Sequence, residues 1–352
     1  MKTPRKSLVK ANRLSRIRKS YFVNHKSYMS KIILTADDFG ACDYIDSGIK
    51  RALLQKRINS VATFVCFPDS HERIENLLAF RRNNNLEFGI GLHFSVTAGF
   101  PLTNTDSLVK DPTASRPEFH DPADFFDGGN YQRADVSVEL HEQIETLEAI
   151  LLDAGYSEAS KRIDSVSNHH GAVYIDNRLF GDYVNVIQSY GIPIRSAMPW
   201  SKSVLQTSNV DRQIFNPAVR EGISLGFYRR AYAAPFIGRR VALTRQRNLN
   251  STYCLLDEFY GQPSETYLRF LISQYRGKTF SSEFMFHLGD PALRPGEEEK
   301  VNLPGINFDY FPAREQELDH LMAIDLQSLL NAVGAIPCTF RDLAPVDSHE
   351  PR

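Results

Sequence analysis

Two adjacent carboxylates, Asp37 and Asp38, close the apolar run Lys31-Ile-Ile-Leu-Thr-Ala and are followed at once by Phe39-Gly40. Ionised groups are rarely buried without a partner or a metal, so a doubled acid where a strand gives way to a turn points to chemistry. Two further runs end in imidazoles, Gly89-Ile-Gly-Leu-His93 and Ser165-Val-Ser-Asn-His169-His170. One carboxylate and two imidazoles make a facial ligand set for a divalent ion, which leaves the second carboxylate to act as a base. Each piece has a blander use. An Asp pair also caps helices and starts turns, and a lone histidine on an apolar strand is commonly a hydrogen-bonded core residue. Their order along the chain favours a shared site.

The elements that would position these residues are legible in the pattern. From residue 31 onward, short apolar runs alternate with longer helical patterns, the signal for repeated βα units around a parallel sheet or barrel. The sequence predicts strands over 31–36, 61–67, 88–93, 162–168, 192–197, 281–287 and 335–340. It predicts helices over 43–56, 69–83, 134–154, 176–190, 264–276 and 313–332, with Gly155, Gly191 and Gly334 just past helix ends as C-terminal caps. Functional groups in parallel α/β folds gather at the carboxyl ends of strands. Asp37, Asp38, His93, His169 and His287 all fall at such ends. Residues 101–133, rich in proline and holding Gly128-Gly129, are too long for a simple connection and read as a lid or a disordered insertion. Residues 198–262 are irregular and arginine-rich, and Arg229-Arg230 and Arg239-Arg240 are expected on a solvated surface.

The 352 residues, 42% hydrophobic with a formal net charge of -1, suit a soluble enzyme-sized chain with one large core. Three stretches are expected: a basic, disordered extension over 1–30, one catalytic domain over 31–345 and a tail over 346–352. The extension carries Lys and Arg from Lys2 to Lys26 without one Asp or Glu. It has no secretory apolar core, although its composition is loosely that of a transit peptide, and Met29 is an alternative functional start. No run approaches the ~18 apolar residues of a membrane span. Cys42, Cys66, Cys254 and Cys338 show no paired spacing, are expected as small buried hydrophobes, and fit a reducing, cytoplasmic setting.

At these residues the chain resembles the YdjC-like carbohydrate deacetylases, the family that includes chitooligosaccharide deacetylases. Thr35-Ala36-Asp37-Asp38-Phe39-Gly40 is similar to that family's opening ADDFG, and Gly91-Leu92-His93 to its GLH segment. Glu283-Phe-Met-Phe-His287-Leu-Gly289 resembles a late E-L-M-C-H-P-G motif, and Arg314-Glu-Gln-Glu-Leu318 an R-x-x-E-L helix. Asp257-Glu-Phe-Tyr260-Gly is a weaker likeness, and the whole runs from about residue 31 to about 344. The middle motif, H-I-D-S-H-x-H in the family, departs here. One register puts Val166 at a ligand position and another puts Ser167 at the acid; the preferred one keeps Asp164-Ser165 and inserts Val166-Ser167-Asn168 before His169.

The resemblance implies a distorted (β/α) barrel, TIM-barrel-like with irregular insertions, and metal-dependent removal of an acetyl group from an N-acetylated amino sugar or short oligosaccharide. Asp38, His93 and His169 would hold one divalent ion, with His170 as the substitute ligand. Zinc is favoured over magnesium or another transition ion because imidazoles suit it. Asp37 would act as base and His287 as acid, while Phe94, Arg195, Glu283 and Tyr260 are candidates for the substrate wall. Phe125, Phe126 and Trp200 could stack on sugar rings or pack in the core. The expected partner is a small carbohydrate, with no membrane or nucleic acid, and a homo-oligomer is allowed. The alternatives are a metal-dependent amidohydrolase on another acyl substrate and a divergent, silent relative that binds sugar or metal.

Overall fold

The computed structural model describes residues 30–129, 131–156, 163–198, 234–256, 265–276 and 280–343. The basic stretch before Ser30, the tail after Leu343, Trp200, Arg229-Arg230 and Tyr260 lie outside them. Among the described residues, seven strands form one all-parallel sheet: β1 (Ser30–Phe39), β2 (Ser60–Thr63), β3 (Gly89–Phe94), β4 (Val166–Asn168), β5 (Cys254–Leu256), β6 (Ser281–Phe286) and β7 (Ala335–Pro337). Their order is β4-β3-β2-β1-β6-β5, with β7 on β1. Helices surround this half-barrel: α1 (Asp43–Leu54), α2 (Ser70–Asn83), α3 (Pro122–Gly128), α4 (Arg133–Asp153), α5 (Asn177–Tyr190), α6 (Ala234–Gln246), α7 (Glu265–Ser273), α8 (Phe311–Ala323) and α9 (Leu326–Val333).

β1 is the central element. Covered on both faces, it reads as a nearly continuous apolar run, as parallel-sheet strands do. β6 pairs with Lys31 through Ala36 along one edge, so β7, at Ser30–Ile32, and β2, at Thr35–Phe39, share the other. The open edges at β4 and β5 are bridged by the segment predicted as a strand over 192–197. Val166 N donates to Pro193 O at 2.9 Å, Arg195 N to Val166 O at 3.0 Å, and Leu255 N to Met198 O at 2.8 Å. One parallel bridge, Val166 to Ile194, is the regular part of that closure. The outcome is the expected distorted barrel, with an irregular segment where a regular one would have a strand.

Three expectations need correction. Residues 313–332 are two helices, because Ile324 is extended (ψ 135°) and the Asp325 side chain caps α9 by accepting from Ser328 N at 3.1 Å. The 101–133 insertion is ordered within the described residues. It carries α3 and a Val109–Phe119 bridge, buries Phe119, Phe125 and Phe126, and is pinned by Glu139, which accepts from Leu102 N and Thr103 N at 3.1 Å each. Phe125 and Phe126 are therefore core residues rather than a sugar platform. Arg240, expected on a solvated surface, is buried on α6, where it donates to Tyr174 O at 2.8 Å and lies over that ring. The four cysteines are free and buried, as expected.

Asp164, the acid of the preferred register, lies at the far end of the barrel. Its backbone N donates to Ile90 O, near the start of β3, and its carboxylate accepts from Phe340 N and Arg341 N at 3.4 and 3.3 Å. The preferred register, which keeps Asp164 as the acid before His169, is thus overturned. Burial pushes this carboxyl up to about 6, against the pull of Arg341 and the two backbone bonds, from an ordinary 3.8. The folded state then holds the proton more tightly than the unfolded state. The stabilisation from that proton is whole below the unfolded value and is lost as pH rises through about 6. Asp164→Asn should flatten the stability curve between about pH 4 and about pH 6 by on the order of 2 kcal/mol, read from urea denaturation. Gly89→Ala should lower stability by roughly 1–3 kcal/mol at any pH, because a Cβ there would lie 1.9 Å from Asp164 Oδ2.

Candidate active site

Strict alternation along β1 would send Asp37 and Asp38 to opposite faces of the sheet. A bulge prevents this. Ala36 pairs with Val61 and Phe39 with Thr63, so three steps on β1 match two on β2. Asp38 takes a left-handed conformation (φ 75°) within it, a strained geometry for a residue with a Cβ. The turn beyond is clamped: Gly40 (φ 95°) donates its N–H to Asp46 Oδ1 at 2.7 Å, and Phe64 N donates to Phe39 O at 2.8 Å. Both carboxylates consequently reach the same imidazole: His93 Nε2 lies 3.2 Å from Asp38 Oδ1 and 3.9 Å from Asp37 Oδ2.

His93 ends β3, and His169 follows β4 directly. Asp38 Oδ1, His93 Nε2 and His169 Nδ1 stand 3.1 to 3.2 Å from one another. All three residues are buried, and this is a group that could hold a metal ion. The protonation pattern supports the fit. Ser167 Oγ donates to Leu92 O at 3.3 Å, so its 2.7 Å contact with His93 Nδ1 has the ring donating. His93 Nε2 then presents a lone pair to Asp38 Oδ1, which is buried and accepts no hydrogen bond. Electron-rich atoms at that separation call for a cation between them. Phe64 walls the site at 5.0 Å from both imidazole rings. His170, the substitute ligand, turns away in a left-handed conformation (φ 54°), with Nδ1 3.0 Å from Thr97 Oγ1.

Each carboxylate has its own arginine. Arg195, on the barrel-closing segment, grips Asp37 through both oxygens at 2.6 and 2.7 Å and donates to Glu283 of β6 at 2.7 Å. Burial alone would raise the Asp37 carboxyl, but the Arg195 guanidinium outweighs it and holds Asp37 below the usual carboxylate range. Arg314 of α8 donates to Asp38 Oδ2 at 2.5 Å and holds Asp38 well below that range against the same burial. His287 follows β6. Burial drives its imidazole down to about 3, so the ring is neutral at pH 7. Its backbone N–H donates to Glu317 Oε2 at 2.7 Å, and Tyr310 Oη donates to Glu317 Oε1 at 2.6 Å. Burial pushes the Glu317 carboxyl up to about 8, past the opposing pull of those two bonds.

The sequence pattern of the YdjC-like protein family matches residues 31–332. This chain belongs to that family. Among relatives of the YdjC-like chain, a carbohydrate deacetylase of Vibrio vulnificus (strain CMCP6) is 28% identical over 166 residues, 47% of this chain and 58% of the relative. A carbohydrate deacetylase of Vibrio cholerae serotype O1 (strain M66-2) is 28% identical over 165 residues with the same coverage. The chain thus spans 58% of the length of these relatives. The crystal structure of a proposed cellobiose-phosphate cleavage protein from Enterococcus faecalis V583 superposes with a TM-score of 0.61 at 17% identity, over 89% of this chain and 98% of that one. It shows a shared fold.

Not every candidate residue reaches the cavity. In the YdjC-like chain, Phe94 is 1% exposed and packs against Tyr183, because it points opposite to His93 on β3. Arg195 donates to both Glu283 and Asp37, and both it and Glu283 are buried rather than at an open wall. Sequence reasoning gave no role to Ser167, Arg314, Glu317 or Tyr310. A signal existed for one pair: Arg314 and Glu317, at i and i+3, share a helix face. His169 keeps its Nε2 buried with no partner among the described residues, where a ligating imidazole normally has one. Ser167→Ala should remove the acceptor that orients His93 and weaken metal binding about 10- to 100-fold, measured by competition with a chelator.

Proposed function

We propose that this chain is a metal-dependent hydrolase that removes the acetyl group from an N-acetylated amino sugar or a short oligosaccharide of such units. The observation that carries this is the convergence of Asp38 Oδ1, His93 Nε2 and His169 Nδ1 within 3.2 Å of one another, with the ionised Asp37 adjacent. Family membership and the carbohydrate deacetylase relatives support the substrate class. A divalent ion held by Asp38, His93 and His169 would supply Lewis acidity, polarising the acetyl carbonyl and lowering the pKa of water toward ~7. Three protein ligands leave a position open, as catalytic zinc sites do.

Asp37 acts as the base. Its two oxygens are fixed by Arg195, which keeps it ionised and sets its orientation toward the cavity. A carboxylate held this way is a weak base, so it would take up the water proton only where a bound ion lowers the pKa of that water. His287 serves the leaving nitrogen. Because its ring is neutral at rest, the proton it delivers is one it has first accepted, and negative charge developing on the carbonyl oxygen raises its basicity during the reaction. The proton count balances: Asp37 takes one from the attacking water and afterwards returns it to solvent, while His287, protonated from solvent, passes one to the amine as the C–N bond breaks. Glu317 holds the backbone of His287 in place for this transfer.

The decisive experiment is acetate release from N-acetylglucosamine, its disaccharide and short chitooligosaccharides by metal-stripped protein restored with zinc, nickel, cobalt or magnesium. Asp37→Asn and His287→Ala should each lose about 10²- to 10⁴-fold in kcat while remaining folded and metal-loaded. Metal binding without acetate release across the whole panel would move the assignment to another acyl substrate or to a silent binding protein.

A further inference from the structure

We propose that Arg314 is the positioning residue that keeps Asp38 a one-oxygen ligand and thereby selects transition ions over calcium. This builds on the proposed role of Asp38, His93 and His169 as the metal-holding set. Asp38 is wholly buried, and its two oxygens have separate environments. Oδ1 faces the two imidazoles at 3.2 Å, and Oδ2 takes the Arg314 Nη2 donor at 2.5 Å. A carboxylate oxygen engaged in a charge-assisted hydrogen bond is poorly available to a cation, so Asp38 can offer Oδ1 alone.

The geometry of Arg314 does not suit a scaffold role. Its side chain is 4% exposed, yet Nε and Nη1 have no hydrogen-bond acceptor among the described residues. A guanidinium used as structural glue spreads its five donors over several acceptors. Here a single bond, to Asp38, occupies a fully buried charge. The ring of Tyr310 lies 5.4 Å from the guanidinium carbon, and Tyr310 is itself tied to Glu317, on the same helix as Arg314. Helix α8 therefore holds the arginine in register with one particular oxygen.

The consequence is ionic selectivity. Calcium gathers roughly 6–8 oxygen ligands and commonly takes carboxylates through both oxygens, whereas zinc and its neighbours accept a small set of nitrogen and oxygen donors with a position left open. With Oδ2 withheld, the site lacks an oxygen that calcium would use and loses nothing that a transition ion needs. The guanidinium charge opposes every divalent ion about equally. The ratio of affinities, rather than any single affinity, thus reads the positioning.

The test uses the full chain stripped of metal and titrated separately with cobalt and with calcium, in wild type, Arg314→Met and Arg314→Lys. Visible absorption of the cobalt-loaded proteins reports coordination number. In Arg314→Met the cobalt-to-calcium affinity ratio should narrow about tenfold or more, and the cobalt bands should weaken toward those of higher coordination as Asp38 turns bidentate. Arg314→Lys, which keeps the charge and a donor, should restore both toward wild type. Far-ultraviolet circular dichroism and the urea midpoint establish folding. Should Arg314→Met not fold, Arg314→Gln replaces it: neutral and too short to reach Oδ2, it should narrow the ratio in the same way. An unchanged ratio with unchanged cobalt bands in a folded variant overturns the assignment to Arg314 alone. Failure of the wild type to bind cobalt overturns the metal-holding set itself, and Arg314's role with it.

Discussion

Asp37 and Asp38, neighbours in sequence, are both buried beside the same imidazole, and most of the site follows from what that requires. An isolated carboxylate in a dry interior costs on the order of tens of kcal/mol, so two side by side must each find compensation. The backbone must first aim both inward, which a regular strand cannot do. The bulge at Ala36–Phe39 and the left-handed Asp38 accomplish it, and Gly40 allows the tight exit that Asp46 then clamps. Compensation comes from two buried arginines distant in sequence, Arg195 for Asp37 and Arg314 for Asp38.

That division of partners separates the chemical roles of two identical side chains. Asp37 has both oxygens gripped by one guanidinium and is backed by Glu283 through the same arginine. Asp38 has one oxygen gripped and the other turned to the imidazoles. The histidines are sorted in a similar way. His93 has its tautomer fixed by Ser167, and the His287 backbone is fixed by a carboxyl that burial keeps largely protonated at neutral pH. Removing one partner from such buried pairs costs about 3–5 kcal/mol, because the other charge is stranded. Stability and chemistry are coupled at this site for that reason.

The architecture explains how remote residues meet. The segment at 193–198 closes the gap between β4 and β5 and carries Arg195 to Asp37, and α8 brings Arg314 to Asp38 and Glu317 to the backbone of His287. Neither element is a strand end, where functional residues of parallel barrels are usually sought. Both approach from outside the sheet and fix side chains that the strand ends present. Among the described residues, no helix is long and apolar enough to cross a membrane.

What could be read directly from the residues was local. The apolar runs gave β1, β3 and β6, the helical spacing gave most helices, and the motifs placed Asp37, Asp38, His93, His169 and His287 at strand ends. β5 went unread because Cys254–Leu256 is too short to stand out from an irregular stretch, and α8 and α9 merged because Asp325 interrupts one apolar pattern without breaking its period. The placement of Asp164 failed for a different reason. Its distance from the ligands depends on where β4 begins against β3, and pairing register is a property of two strands rather than one. Sequence by itself determined the types of the candidate site residues, their order and the parallel βα plan, because these depend on side-chain chemistry and local period. Tertiary structure alone decided which oxygen each arginine takes, that Ser167 orients His93, and that the insertion before α4 is packed. Those outcomes are set by contacts between residues up to 276 positions apart, which no local pattern encodes.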